Sequence, residues 1–211
     1  MSNENCPLCS GETNLFYSEE KLTYYQCKTC SGIFLKPEHA LSREDEKARY
    51  DTHNNDVEDP KYQNFVSPIT TSVLKHHPNS HVGLDFGCGP GPVITHVLTH
   101  HGYHLNLYDP FYHPNENVLN QTYDYIVCCE VMEHFLDPKK EFALLRSLLQ
   151  SKGSLYCMTW LYDESIDFES WFYRKDPTHV FFYQKETIAF MADYFKFKSF
   201  QINNRLITFH R

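Results

Sequence analysis

The chain has 211 residues, 41% of them hydrophobic and 22% charged, and its 19 Lys and Arg against 27 Asp and Glu give a net charge of −8. That length suits one mid-sized domain with a small attachment, and the acidic balance disfavours nucleic-acid phosphates and anionic membranes as partners. No run approaches the ~18 apolar residues of a membrane span. The polar start Met1-Ser2-Asn3-Glu4-Asn5 has no basic or apolar leader region, so a cytoplasmic protein is expected.

Two CxxC knuckles open the chain. Cys6 and Cys9 form the first, Cys27 and Cys30 the second, with 17 residues between them. This is zinc-ribbon spacing. Each knuckle turns tightly enough for both thiolates to reach one ion, and four sulfurs close a tetrahedral shell, so the implied zinc is structural. Lys28 favours the thiolate form. The alternatives are disulfides or a redox pair; a reducing compartment counts against the first and the doubled knuckle against the second. Two β-prone runs, 15–17 and 22–26, lie between the knuckles, and Gly32-Ile33-Phe34-Leu35 follows before Pro37 closes a ribbon over 1–37.

Residues 38–65 read as a helical linker. Ser42 with Asp45 three positions on is a helix start, and 44–49 is a charged helical stretch. Tyr50, His53, Asn54, Asn55, Tyr62 and Phe65 suit either a solvated linker or a lid over a small-molecule pocket.

The apolar run 82–86 leads straight into Gly87-Cys88-Gly89-Pro90-Gly91, and a helix is expected over 93–98. In such a unit the glycines let the backbone approach a ligand at a helix N-terminus. Pro92 occupies the place of the third glycine of a dinucleotide fingerprint, whereas Asp85, two before the first glycine, suits an S-adenosylmethionine site. With these residues the chain resembles the class I S-adenosylmethionine-dependent methyltransferases.

The resemblance covers residues 66–211. It implies a Rossmann-like α/β fold, a seven-stranded doubly wound sheet. Asp109, 24 residues beyond Asp85, ends a second strand at 104–109 and corresponds to the acid that accepts the cofactor's ribose hydroxyls. The stretch 123–135 is similar to the family's fourth strand and the loop after it, and its Glu130-Val131-Met132-Glu133-His134 is similar to the wording of ubiquinone-biosynthesis O-methyltransferases. The implied cofactor contacts are Asp85, Gly87, Cys88, Gly89, Gly91, Asp109, Glu130 and Met132. A helix at 141–149, a strand at 154–159 and a closing hairpin, 197–202 with 206–210, complete the pattern. Only 14 residues separate Asp109 from Asp124, so the family's third strand is lost or minimal, and no adenine contact is assigned.

Two histidines suit the chemistry. Methyl transfer is an in-line displacement that depends on alignment, and the acceptor can need a proton removed. His179 lies in Asp176-Pro177-Thr178-His179-Val180-Phe181-Phe182-Tyr183, similar to the acceptor-facing segment of the ubiquinone-type enzymes. His134 follows the fourth strand, where a hydrogen-bonded loop histidine is an equal reading. Trp160, Trp171, Phe172, Tyr173 and 181–183 suggest an aromatic lid or ordinary core, and Arg174 and Lys175 a greeting for an acidic substrate group. His96 and His100 stand four apart without a glutamate between them, so a solvated face is expected. The expected function is methylation of a small molecule at oxygen or nitrogen. The rivals are an RNA methyltransferase that reads its substrate with the ribbon, and a non-catalytic module that binds the cofactor.

Overall fold

The computed structural model describes residues 4–53 and 56–211; Met1–Asn3, Asn54 and Asn55 lie outside it. The ribbon begins with strands β1 (Thr13–Glu19) and β2 (Leu22–Cys27), an antiparallel hairpin, and β3 (Ile33–Leu35) pairs with β2. Helix α1 (Arg43–Tyr50) starts where Ser42 accepts the Asp45 N–H at 3.2 Å. Asp59 caps α2 (Pro60–His76), whose Pro60 sits in the first turn, where its missing N–H leaves no bond unmade. The 65/66 boundary therefore falls inside one continuous helix.

The larger unit alternates strand and helix. It comprises β4 (Val82–Phe86), α3 (Val93–His100), β5 (His104–Tyr108), β6 (Tyr123–Cys129), α4 (Pro138–Leu148) and β7 (Leu149–Met158). After a long insertion come β8 (Phe181–Phe182), α5 (Lys185–Tyr194), β9 (Ser199–Asn203) and β10 (Leu206–His210). The main sheet runs β5-β4-β6-β7-β10-β9; its first four strands are parallel, and β10 is antiparallel to both neighbours. Near-continuous apolar strands such as β6, buried from Tyr125 to Cys128, are what a sheet covered on both faces requires.

The sheet has six strands, not seven. Residues 110–122 form a turn closed by Asp109 and His113 and a 3₁₀ segment, Glu116–Asn120, whose Val118 carbonyl accepts the Tyr123 hydroxyl at 2.7 Å. Two prolines, Pro110 and Pro114, lie in this short span and cannot donate to a ladder, so β5 remains the sheet edge.

The ribbon is not a detached bead. β8 pairs with β3, placing Phe181 opposite Phe34 and Phe182 opposite Ile33 in a second sheet of order β1-β2-β3-β8. Gln184 Nε2 donates to the Ser31 carbonyl at 2.6 Å. The insertion aromatics fill the seam: Phe168 stands edge-on to Phe16 at 5.0 Å and to Tyr24 at 5.1 Å, and Trp171 and Phe182 join them. Trp171 and the three aromatics at 181–183 are thus core rather than lid, while Trp160 and Phe172 are exposed.

At Gly32 a methyl group would run into the Phe181 ring. Gly32→Ala therefore forces the β3–β8 seam apart and is expected to lower stability by about 1–3 kcal/mol, the usual cost of overpacking. Urea unfolding of the full chain measures it; an unchanged midpoint would contradict the seam.

Candidate active site

The carboxyl ends of β4, β5 and β6 open onto one cavity of about 920 Å³, roofed by residues from α1 and α2. β4 has β5 on one side and β6 on the other, so the chain reverses direction across the sheet at β4. Ligands of open α/β sheets bind outside such a switch point.

The glycine loop forms one wall. Gly87, at φ +74°, lies against Val131, which a Cβ would strike. Gly89, at φ +63°, has open space where a Cβ would project. The loop is held from behind by the Tyr108 carbonyl, which accepts the N–H groups of Gly87 at 2.8 Å and Cys88 at 3.2 Å. Asp109 completes the cradle: Oδ2 accepts the Gly89 N–H at 3.0 Å, and Oδ1 accepts those of Phe111 and Tyr112 at 2.8 and 3.0 Å. Asp85 is buried beneath the loop, with Thr95 Oγ1 donating to it at 2.8 Å. Burial pushes its carboxyl up to about 6, against the pull of that hydrogen bond.

Asp85, Gly87, Cys88, Gly89, Asp109 and Glu130 all border the cavity. Gly91 is buried just behind the loop, where its carbonyl accepts the Val93 N–H. Met132 departs from expectation: it is fully buried in the core, and Val131 lines the cavity instead. The tight 3₁₀ turn Met132–His134 after β6 rotates that side chain inward.

The opposite wall is built by the β6 end and the loop before β8. Glu130, at φ +51°, is pushed up to about 8 by burial and by the Glu133 carboxylate, against the Arg205 guanidinium 3.4 Å away. Glu133 is fully buried and is pushed up to about 7 by that burial, against a hydrogen bond from the Tyr173 hydroxyl. His134 Nδ1 lies 2.9 Å from the Thr178 carbonyl, and its ring centre is 4.9 Å from that of His179. His179 Nδ1 lies 2.6 Å from the Tyr173 carbonyl; burial and the neighbouring His134 hold its pKa down to about 4. The structure thus brings His134 and His179 together across the cavity from the glycine loop.

The linker closes the roof. Tyr50, His53, Tyr62 and Phe65 border the cavity. Arg49 Nη2 pairs with Asp176 at 2.7 Å, and the Tyr112 hydroxyl donates to Asp51 at 2.6 Å, so α1 is tied to both walls. Burial opposes ionisation of Asp176, but hydrogen bonds from Thr178 and Arg49 hold it at about 2. Arg174, by contrast, is no substrate contact: it is buried in the ribbon seam, paired with Glu19 at 2.8 Å. On α3, His100 is exposed, whereas His96 is half-buried and faces Glu58 at 3.3 Å. Behind this wall Glu133 and Tyr173 share a buried hydrogen bond that joins positions 40 apart and so leaves no local signal in the sequence.

The four knuckle sulfurs form a second centre. All lie within 4.8 Å of one another, with Cys6–Cys30 at 3.5 Å and Cys9–Cys27 at 3.4 Å. Zinc–sulfur bonds of ~2.3 Å in a tetrahedron place sulfurs about 3.8 Å apart, so these residues fit that ion. The backbone N–H groups of Thr29 and Cys30 point at Cys27 Sγ at 3.3 and 3.5 Å, a further support for a thiolate.

Residues 59–198 match the family model described as a methyltransferase domain. The chain belongs to the methyltransferase domain family. No curated protein matches it in sequence. Among solved structures it resembles the 1,6-didemethyltoxoflavin-N1-methyltransferase of Burkholderia thailandensis, solved with 1,6-didemethyltoxoflavin and S-adenosylhomocysteine bound. The TM-score is 0.58 at 14% identity over 93% of this chain and 98% of that one. An O-methyltransferase family protein of Burkholderia thailandensis gives 0.51 at 12% identity over 82% and 60%. The mitomycin 7-O-methyltransferase gives 0.52 at 12% over 72% and 57%. The chain thus spans 57–60% of the length of the last two. At these identities the likeness is one of fold, that of class I S-adenosylmethionine-dependent methyltransferases.

A buried carboxylate raised from the usual 3.8 to about 6 favours folding only while protonated. Its contribution is complete below pH 3.8 and is lost as pH rises through about 6, on the order of 3 kcal/mol at most. Asp85→Asn is therefore expected to match the unliganded parent near pH 4 and to exceed it in stability at pH 7.5. Melting curves across that range check this, and parallel curves would refute it.

Proposed function

We propose that the chain transfers a methyl group from S-adenosylmethionine to an oxygen or nitrogen of a small molecule, with a structural zinc ion in the ribbon. The observation that carries this reading is the single cavity in which the glycine-loop wall meets the His134–His179 wall under α1. S-Adenosylmethionine supplies an electrophilic methyl group on a sulfonium. Gly87, Cys88 and Gly89 give it close backbone approach, with Gly91 shaping the loop from behind. The glycine conformations fit such a ligand, since the space beside Gly89 would be closed by any side chain. Asp109 retains acceptor capacity on Oδ2, which takes one N–H among the described residues, and this suits ribose hydroxyls. Asp85, ionised at neutral pH, complements the cationic end of the cofactor.

His179 and His134 act on the acceptor. Their rings border the cavity beyond the glycine loop, and each is oriented by a backbone carbonyl on Nδ1. The lid aromatics Tyr50 and Phe111, whose rings lie 5.9 Å apart, suit a flat or apolar acceptor. Nucleic acid is a poorer fit: the ribbon face that carries Phe16 and Tyr24 packs against the insertion, and the chain is acidic. No described helix is long and apolar enough to cross a membrane.

Native mass spectrometry of the purified chain is expected to show one zinc, and one S-adenosylmethionine or S-adenosylhomocysteine once either is supplied. Zinc with no cofactor at saturating concentration would end the enzyme reading. His179→Ala is expected to abolish methyl transfer in a metabolite-extract screen while cofactor affinity stays near that of the parent. Undiminished turnover would remove His179 from the chemistry.

A further inference from the structure

Glu141 is a carboxylate at a position where the helix pattern calls for an apolar side chain. It stands three residues after Pro138 and four before Leu145, on the face of α4 whose Pro138, Phe142, Leu145 and Leu148 are buried. The residue is half-buried and borders the cavity. Among the described residues nothing donates a hydrogen bond to its carboxylate. Burial pushes that carboxyl up, and the neighbouring Lys140 charge opposes the shift only from a distance. A shielded carboxylate without a donor is costly, and a ligand that brings an N–H removes the cost.

The surroundings fix which ligand group that is. The main sheet ends at β5 on this side, with no strand beyond it. His134 and His179 stand at the other side, past the end of β6. A cofactor whose ribose rests on Asp109 and whose sulfonium faces the two histidines therefore turns its base to the β5 end. Tyr108 shares that end with Glu141: burial first, then the Glu141 carboxylate, push its phenol up. The surface there is flat and apolar. The Phe86 ring lies 5.2 Å from that of Tyr108 and 6.3 Å from that of Phe135, and all three residues border the cavity. Leu136, also on the cavity, is left 58% exposed. Such side chains cover the faces of a purine, but its edge needs a polar partner. An ionised carboxylate only accepts, and the exocyclic amino group is the donor on adenine's edge.

We propose that Glu141 accepts a hydrogen bond from the 6-amino group of the cofactor's adenine and so selects adenine over purines that lack that group. This rests on the S-adenosylmethionine reading of the same cavity. Base selection then comes from the first turn of the helix after β6, and not from the edge of the sheet. The nearby carboxylates are placed for other tasks. Asp137 caps α4 by accepting the Lys140 N–H at 3.0 Å. Glu116, the next carboxylate to act on Tyr108, is exposed and does not border the cavity.

Calorimetry on the full chain with its ribbon intact tests this with two ligands. One is S-adenosylhomocysteine, and the other is its 6-deamino analogue, in which hydrogen replaces the amino group. The parent is expected to bind the analogue at least ~10-fold more weakly, the worth of one hydrogen bond to a charged group. Glu141→Ala should weaken S-adenosylhomocysteine by a similar factor and leave the analogue no weaker, so that the preference disappears. Alanine suits a helix, and affinity for the analogue, which offers the carboxylate nothing, reports that the cavity is kept. Glu141→Met, of similar length and without an acceptor oxygen, carries the same expectation if the alanine variant does not fold. Glu116→Ala should change neither affinity. A parent that binds both ligands alike, a preference that survives in the Glu141 variants, or one that disappears in Glu116→Ala instead overturns the proposal and leaves cofactor binding standing. A parent that binds neither ligand removes the cofactor reading itself, a different result.

Discussion

The two-residue pairing of β3 with β8 governs the geometry of the whole cavity. Phe181 and Phe182 follow His179 by two and three positions, so the ribbon strand that pairs with them also fixes where that imidazole stands. Val180 shows the linkage most directly. Its carbonyl accepts the Leu35 N–H at 2.8 Å from the ribbon side, and its own N–H donates to the Glu133 carbonyl at 2.9 Å. The backbone of this one residue thus spans from the cysteine-bearing module to the end of β6. The loop before β8 would otherwise be a long surface excursion; with both of its sides hydrogen-bonded it becomes a rigid wall.

Burial then gives that wall its chemistry. Glu130 and Glu133 sit where the parallel strands end, shielded by Tyr173 above and the sheet below, and their carboxyl groups are far less acidic than in water. Arg205, itself stacked 4.3 Å from Phe65, brings the only cation paired with Glu130 among the described residues. The acidic groups beside the glycine loop are arranged differently: Asp109 accepts backbone N–H groups on both oxygens, which fixes the loop and leaves acceptor capacity on Oδ2. The α1 roof spans both walls through Arg49–Asp176 and Tyr112–Asp51, so its position reports on the two together.

Local signals in the sequence carried much of this. The doubled CxxC, the strand–glycine–helix unit with Asp85 and Asp109, the Ser42 cap and the terminal hairpin each rest on short motifs at a readable spacing. Their physics is that of a turn, a cap or a metal knuckle. What local pattern did not carry depends on distant partners. The missing seventh strand follows from two prolines in a short span. Met132 and Val131 exchange places because a 3₁₀ turn breaks the strand's alternation. Arg174 looks like a surface charge until Glu19, 155 positions earlier, is found against it. The buried Glu133–Tyr173 hydrogen bond is invisible without knowing what surrounds the carboxylate.

The shared sheet also bears on how such a chain can be assembled or reshuffled. Pro37 looks like a natural seam between an accessory finger and an enzyme, the kind of place where gene fusion joins ready-made modules. Here it is not one. β8 belongs to the catalytic half in sequence and to the ribbon in its hydrogen bonding, so a partner lacking the ribbon would expose two phenylalanines on an open strand edge. The two halves are therefore bound through one sheet, and exchange of either must carry the seam residues of the other with it.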